Sequence, residues 1–384
     1  MNSTLAAQLN RAQLAAIVVG LIGFALCIPG FIGGSTQFFV SYLFGYIFWL
    51  GLSLGCLVVT MIHVLAGGRW GNITRRFLEA GFMTLPAMAI LFLPIFAGIK
   101  KLYPWACSPI VAADKTLQNK AAYLNIPGFV TRMVIIFAIW SILGFLLRKW
   151  SLQQDTTTDV TPTKRMRKLA GPAVIIYTLT VTFAFIDWVM SLEPDWDSTM
   201  FAIIICIGQI LVAITFAVLM LAWLKNFPPF DSVVTTTQFH QFGNLMLAFV
   251  MFWTYVMFGQ FLINWSGNTP KEIIWYHHRI AGGWKWLIAA LLAFHFVMPF
   301  FLLLFRSSKR KLPPLTALAA MIFAAHILAD YWIVVPAIHS TGPHISWFDF
   351  TAFFGVGGVW FAIFIALLKR HELLPRNDPR IEYA

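Results

Sequence analysis

Several ionisable side chains fall inside apolar stretches, where a charge needs a physical reason to be tolerated. Asp187 lies near the end of the stretch 171–192. Tyr177, Thr180, Ala184, Asp187 and Ser191 follow a 3-4-3-4 spacing, so they share one helix face. Glu193, Asp195 and Asp197 come directly after them. In the stretch 314–336, His326 and Asp330 stand one helical turn apart, and Asp349 opens the stretch 346–368. Carboxylates in apolar surroundings can load and release a proton near neutral pH, so Asp187 and the His326/Asp330 pair point to a proton route or a quinone-head pocket. Arg132, just inside the stretch 126–147, offers the structural alternative of a salt bridge to one of these acids.

Other candidates are weaker. Glu79 follows Arg75 and Arg76 by four and three residues, which suits a helix-end ion pair as well as a proton path. His63 and His240 lie near the ends of apolar stretches, where a solvated or capping imidazole is the commoner use. His295 and His326 are both mid-stretch, which raises a shared haem, but no stretch carries the two histidines that a dihaem bundle needs. His277-His278 falls in a loop, and no Walker, Rossmann or H-E-x-x-H motif is present. Cys27, Cys56, Cys107 and Cys206 have no metal-binding spacing and read as small hydrophobes. The expectation is a chain with no metal site, no covalent cofactor and no electron carrier of its own.

The elements that must hold these residues are long apolar helices. Of 384 residues, 59% are hydrophobic and 11% charged, against roughly 25% charged in soluble domains. Ten stretches reach the length of about 20 residues that a bilayer requires. They are 15–34, 38–66, 77–99, 126–147, 171–192, 198–224, 239–265, 284–305, 314–336 and 346–368. The fold class is therefore all-α, a polytopic transmembrane bundle forming one integral membrane domain over 1–384. The first stretch lacks a strongly basic lead and a clear small-x-small cleavage site, and reads as a retained span.

The net charge of +12 does not point to nucleic acid, because the basic residues cluster between spans. One alternate set of loops, with both termini, holds 19 Lys and Arg, and the other set holds 6. That asymmetry predicts cytoplasmic termini. A polar segment, 148–170, reads as a solvated cytoplasmic linker, and 369–384 as a cytoplasmic tail. Tyr103, Trp105, Trp196, Trp275, Tyr276, Trp284 and Trp286 crowd the other loops as an interfacial aromatic belt.

One block of sequence is more specific. Met190-Ser191-Leu192-Glu193-Pro194-Asp195-Trp196 precedes Ser198-Thr199-Met200-Phe201. Phe239-His240-Gln241-Phe242-Gly243-Asn244 leads into Leu247-Ala248-Phe249-Val250-Met251-Phe252-Trp253 and Gly259-Gln260-Phe261. Trp265-Ser266-Gly267-Asn268, Glu272-Ile273-Ile274-Trp275-Tyr276, Arg279 and Gly282-Gly283-Trp284 complete it. Together these resemble the F subunit, or quinone-binding subunit 2, of alternative complex III, a bacterial quinol oxidoreductase. The likeness runs from the second stretch to the tenth and is most specific over 187–286.

This family belongs to the polysulfide-reductase-type membrane subunits. The resemblance implies two four-helix bundles flanked by extra helices, in the bacterial cytoplasmic membrane. It implies as partners a sister membrane subunit of the same type, an iron–sulfur subunit, multihaem and monohaem cytochrome c subunits, and lipids. Haem and iron–sulfur clusters would reside in those partners, with menaquinol oxidised near the outer face. This chain would supply a proton path and a quinone or menaquinone pocket, with Asp187, Glu193, Asp195, His326 and Asp330 as the positions to carry it. The residues leave two other readings open. A proton-coupled secondary transporter would show broken helices at matched positions, for which Pro86, Pro94 and Pro299 are too irregular. A structural anchor would tolerate neutralisation of every buried acid.

Overall fold

The computed structural model describes residues 3–375 and 377; Arg376 and Arg380, counted above in the charge asymmetry, lie outside the described residues. Among those described, ten helical segments are long and apolar enough to cross a membrane. They are span 1 (Ser3–Ile32), span 2 (Thr36–Ala66), span 3 (Trp70–Ala97), span 4 (Ile126–Asp155) and span 5 (Thr161–Leu192). Span 6 (Phe201–Leu224), span 7 (Thr236–Gly267), span 8 (Trp284–Leu304), span 9 (Leu312–Ala337) and span 10 (Trp347–Leu368) follow. The protein is an all-α, multi-pass helical bundle. With an even number of spans, its two ends share one face, called here the terminal face.

The packing resolves into two four-helix bundles, spans 2–5 and spans 6–9. Span 10 lies on spans 2 and 3, and span 1 lies on span 10. This is the arrangement the resemblance implied. Spans 2 and 6 join the bundles and are the most buried. Both sequences are apolar on every side, as a helix surrounded by other helices must be. They cross where Gly55 meets span 6: a Cβ on Gly55 would lie 2.0 Å from the Gln209 carbonyl oxygen. Spans 1, 7 and 8 turn most of their surface outward, with Leu21, Tyr255 and Phe301 among the exposed apolar side chains, as lipid-facing helices do.

Local chemistry sets the ends. Asn125 caps span 4 by accepting from the Gly128 N–H, with Pro127 in the first turn. Ser346 and Asp349 form a capping box at the start of span 10. The expected linker 148–170 is mostly helix, since span 4 continues to Asp155 and span 5 begins at Thr161. Lys, Arg, Gln and Leu are good helix formers, so both helices run on past the apolar stretch.

Spans 5 and 9 finish on short 3-10 turns, and among the described residues two spans are interrupted further in. Span 3 breaks after Phe82 and again at Phe92, ahead of Pro86 and Pro94. In span 8 the residues Leu292–Val297 form a π-turn ahead of Pro299. The breaks fall on the second helix of one bundle and the third of the other, and both bundles start from the same face. That is not the matched, inverted pattern of a repeat-built transporter.

Candidate proton site between the two bundles

The face predicted on span 5 is real, and all of it is buried or nearly so, but its members turn to different partners. The Tyr177 hydroxyl donates to Gln209 Oε1 at 2.5 Å. Thr180 Oγ1 accepts from the Trp140 indole at 2.8 Å. Ser191 donates to the Asp187 carbonyl at 2.5 Å and accepts from the Trp105 indole at 3.0 Å. The stripe is a set of packing bonds, not one continuous route.

Asp187 is fully buried, and its carboxylate is held by Arg132 through Nε at 2.6 Å and Nη2 at 3.1 Å. Arg132 also lies over the Tyr123 ring at 3.9 Å. Of the two uses expected for Asp187, the structure places it in the salt bridge.

Span 9 is different. His326 and Asp330 are buried, and His326 Nε2 is 3.9 Å from Asp330 Oδ1, too long for a hydrogen bond. Among the described residues Asp330 has no Lys or Arg partner. The other imidazole nitrogen, His326 Nδ1, is 3.2 Å from His295 Nε2 on span 8. His295 is brought inward by the π-turn. The ring of Pro299 would clash with the carbonyl of residue 295 in a regular helix, and the wider turn relieves it. Trp253 on span 7 covers the His295 ring at 4.1 Å between centroids.

Span 6 supplies the fourth wall. Gly208 has no side chain, which lets the His326 ring pack against it, and the next residue is Gln209. Gln209 is buried, accepts from Tyr177, and leaves its own Nε2 without a partner. Gln209, His326, Asp330 and Trp253 line one small cavity, together with Phe48 and Gly51 of span 2. The cavity has room for about one water molecule, and Gln209, His326 and Asp330 are polar residues of its lining. A buried acid, two imidazoles, an amide and a phenol thus converge at the seam of the bundles. Such a group can store a proton and pass it through a water.

The remaining candidates lie elsewhere. Glu193 accepts from Arg279 Nη1 at 2.7 Å and pairs with His278 Nδ1 at 2.6 Å, so it acts as a lock between loops. Arg279 is buried, donates also to the Ile333 carbonyl at 2.8 Å, and lies over the Trp275 ring at 3.8 Å. Burial holds this guanidinium below its usual value, while Glu193 pulls the other way. Asp195 is exposed, and the exposed Asp197 pairs with Lys120. Asp349 accepts from Ser41 at 2.5 Å, and Ser41 in turn accepts from Gln37, whose carbonyl oxygen is 2.5 Å from His339 Nε2. On the terminal face Glu79 pairs with Arg76 at 2.5 Å, and Arg76 also holds Asp155 and Ser151, which is the ion-pair use of Glu79. His63 bonds the Gly68 carbonyl at 2.9 Å beside Trp70.

A haem between His295 and His326 does not fit. Their facing nitrogens are already within hydrogen-bond distance, so no iron and no porphyrin plane can enter between the rings. The internal cavity is likewise too small for a quinone ring. The four cysteines are unpaired, three of them buried.

Gln209 and Gly208 were not among the residues expected from sequence. A lone amide in an otherwise apolar span of 24 residues is the signal that marks Gln209. Searches against protein-family models and against curated proteins found no match to this chain.

Proposed function

We propose that the chain is a proton-handling membrane subunit of a quinol-oxidising electron-transfer complex, related to the F subunit of alternative complex III. The observation that carries the reading is Asp330: a buried carboxyl with no cationic partner among the described residues, facing a cavity shared with His326 and Gln209. A burial cost of at least roughly 2.5–3.5 kcal/mol for such an acid argues for use. The motif block over 187–286 and the two-bundle layout support the family assignment. The charge asymmetry of the loops favours cytoplasmic termini in a bacterial inner membrane.

In this reading the electrons travel through partner subunits that hold haem and iron–sulfur clusters, and menaquinol is oxidised outside this cavity. Asp330 takes up and releases the proton through a water in the cavity; Gln209, held by Tyr177 at its Oε1, offers that water its free Nε2 as a hydrogen-bond donor, and His326 lines the same cavity. The transporter alternative has no matched helix breaks to support it. The anchor alternative predicts that Asp330 can be neutralised freely.

The test is Asp330→Asn in the gently solubilised complex, reconstituted into liposomes. Proton translocation per quinol should fall at least tenfold while the subunit composition stays unchanged. Full coupling in that variant would remove the site from the mechanism. A preparation without haem-bearing partners would remove the complex itself.

A further inference from the structure

A second polar feature, unrelated to the proton site, lies on the terminal face between spans 4 and 10. It is a groove of about 510 Å³ with a basic rim and an apolar floor. Arg148, Lys149 and Arg370 line the rim, and Phe145, Leu152 and Leu367 line the floor. No Asp or Glu lines it among the described residues. Arg148 is 7% exposed; its Nη2 donates to the Leu367 carbonyl at 3.2 Å, while its Nη1 is buried and has no partner. Glu79 attracts this guanidinium through space but makes no hydrogen bond to it and does not line the groove, so the unpaired nitrogen still calls for an anion.

The depth of the groove identifies the kind of anion. Span 4 is apolar up to Leu147 and then turns to Arg148-Lys149-Trp150, and span 10 is apolar up to Leu368 and then turns to Lys369-Arg370. Both helices therefore leave the hydrocarbon at the same level, the level of lipid headgroups. Below Lys149, the exposed side chains Phe145, Ile142 and Ile135 follow at helical spacing on the same outward face. They form an apolar track beneath a cationic cup. From this we infer that the groove seats an anionic glycerophospholipid, its phosphodiester on Arg148, Lys149 and Arg370 and an acyl chain along the Phe145–Ile135 track. His371 at the rim responds to the same field: burial first, and then Arg148 and Arg76, hold its imidazole below the usual range.

The phosphate chemistry could come from a lipid or from free phosphate, and melting curves of the delipidated protein separate the two. Added phosphatidylglycerol should raise the melting temperature by about 2 °C or more. Phosphatidylcholine or inorganic phosphate at equal concentration should not. The double variant Lys149→Gln/Arg370→Gln changes only exposed side chains. It should lose at least half of the shift while its melting without lipid moves by no more than about 1 °C. An equal shift with inorganic phosphate would make this a free-anion site and overturn the lipid assignment. An equal shift with phosphatidylcholine, no shift at all, or a double variant that responds as the parent does would also overturn it.

Discussion

The imidazole of His326 rests against the bare Cα of Gly208: a Cβ at that position would stand 2.5 Å from His326 Cε1 and 3.0 Å from Nε2. The cavity therefore depends on a missing side chain as much as on the acid it contains. Gly208→Ala must either push His326 off His295 or part spans 6 and 9. Overpacking of this kind costs about 1–3 kcal/mol. A drop in melting temperature in detergent should accompany weakened proton coupling. Gly259→Ala, where a Cβ meets nothing within 4 Å, is the matched control and should not lower the melting temperature.

Asp187 and Arg132 make a different prediction, because their charges are matched. Removing one partner leaves the other uncompensated, at a cost of about 3–5 kcal/mol for a buried pair. Asp187→Asn and Arg132→Gln should each destabilise strongly, and the double variant by clearly less than their sum. The double variant should also keep proton coupling. A coupled loss of protons in a well-folded double variant would return Asp187 to the proton route.

Arg279 holds three elements through one planar group: Glu193 after span 5, Trp275 in the helix Pro270–Ile280, and the Ile333 carbonyl of span 9. Lysine cannot reproduce that fork or its stacking on Trp275. Arg279→Lys should cost about 2–4 kcal/mol from the lost charged hydrogen bonds. Limited proteolysis is the direct check, with faster cutting in 193–200 and 266–283. Unchanged cutting would mean the loops are held by Trp196, Trp275 and Trp332 alone.

How much of this could be read from the chain depends on the range of the interaction. The ten spans follow from apolar length alone, and the structure returns every one. Their ends do not, because Arg148 to Asp155 and Thr161 to Ala170 are helical by propensity after hydropathy has stopped reporting. The one-face grouping of Tyr177, Thr180 and Asp187 follows from helical period. What each meets does not, since Gln209, Trp140 and Arg132 lie on other spans. Arg132 was legible as a partner for an acid because both are rare charges in apolar stretches. The pairing of Glu193 with Arg279 joins the turn after span 5 to the short helix Pro270–Ile280, and no local pattern marks it. The sequence raises a shared haem on His295 and His326 and disfavours it, but only the fold shows the two rings spent on each other.

The last prediction concerns pH. His339 sits between span 9 and span 10, stacked on His344 at 4.8 Å, with Nε2 on Gln37 and Asp349 beyond Ser41. Burial first, and then His344, hold its imidazole below the ordinary 6.5, with Asp349 opposing. A depressed folded value means the folded state favours the neutral ring. The stabilisation is thus complete above pH about 6.5 and is lost as pH falls through the lower, folded value. His339→Gln keeps an amide that can still meet Gln37 but does not titrate. Between pH 7 and pH 5 its melting temperature should fall less steeply than that of the parent. Parallel curves would assign the acid sensitivity to another group, with His371 next to be tested.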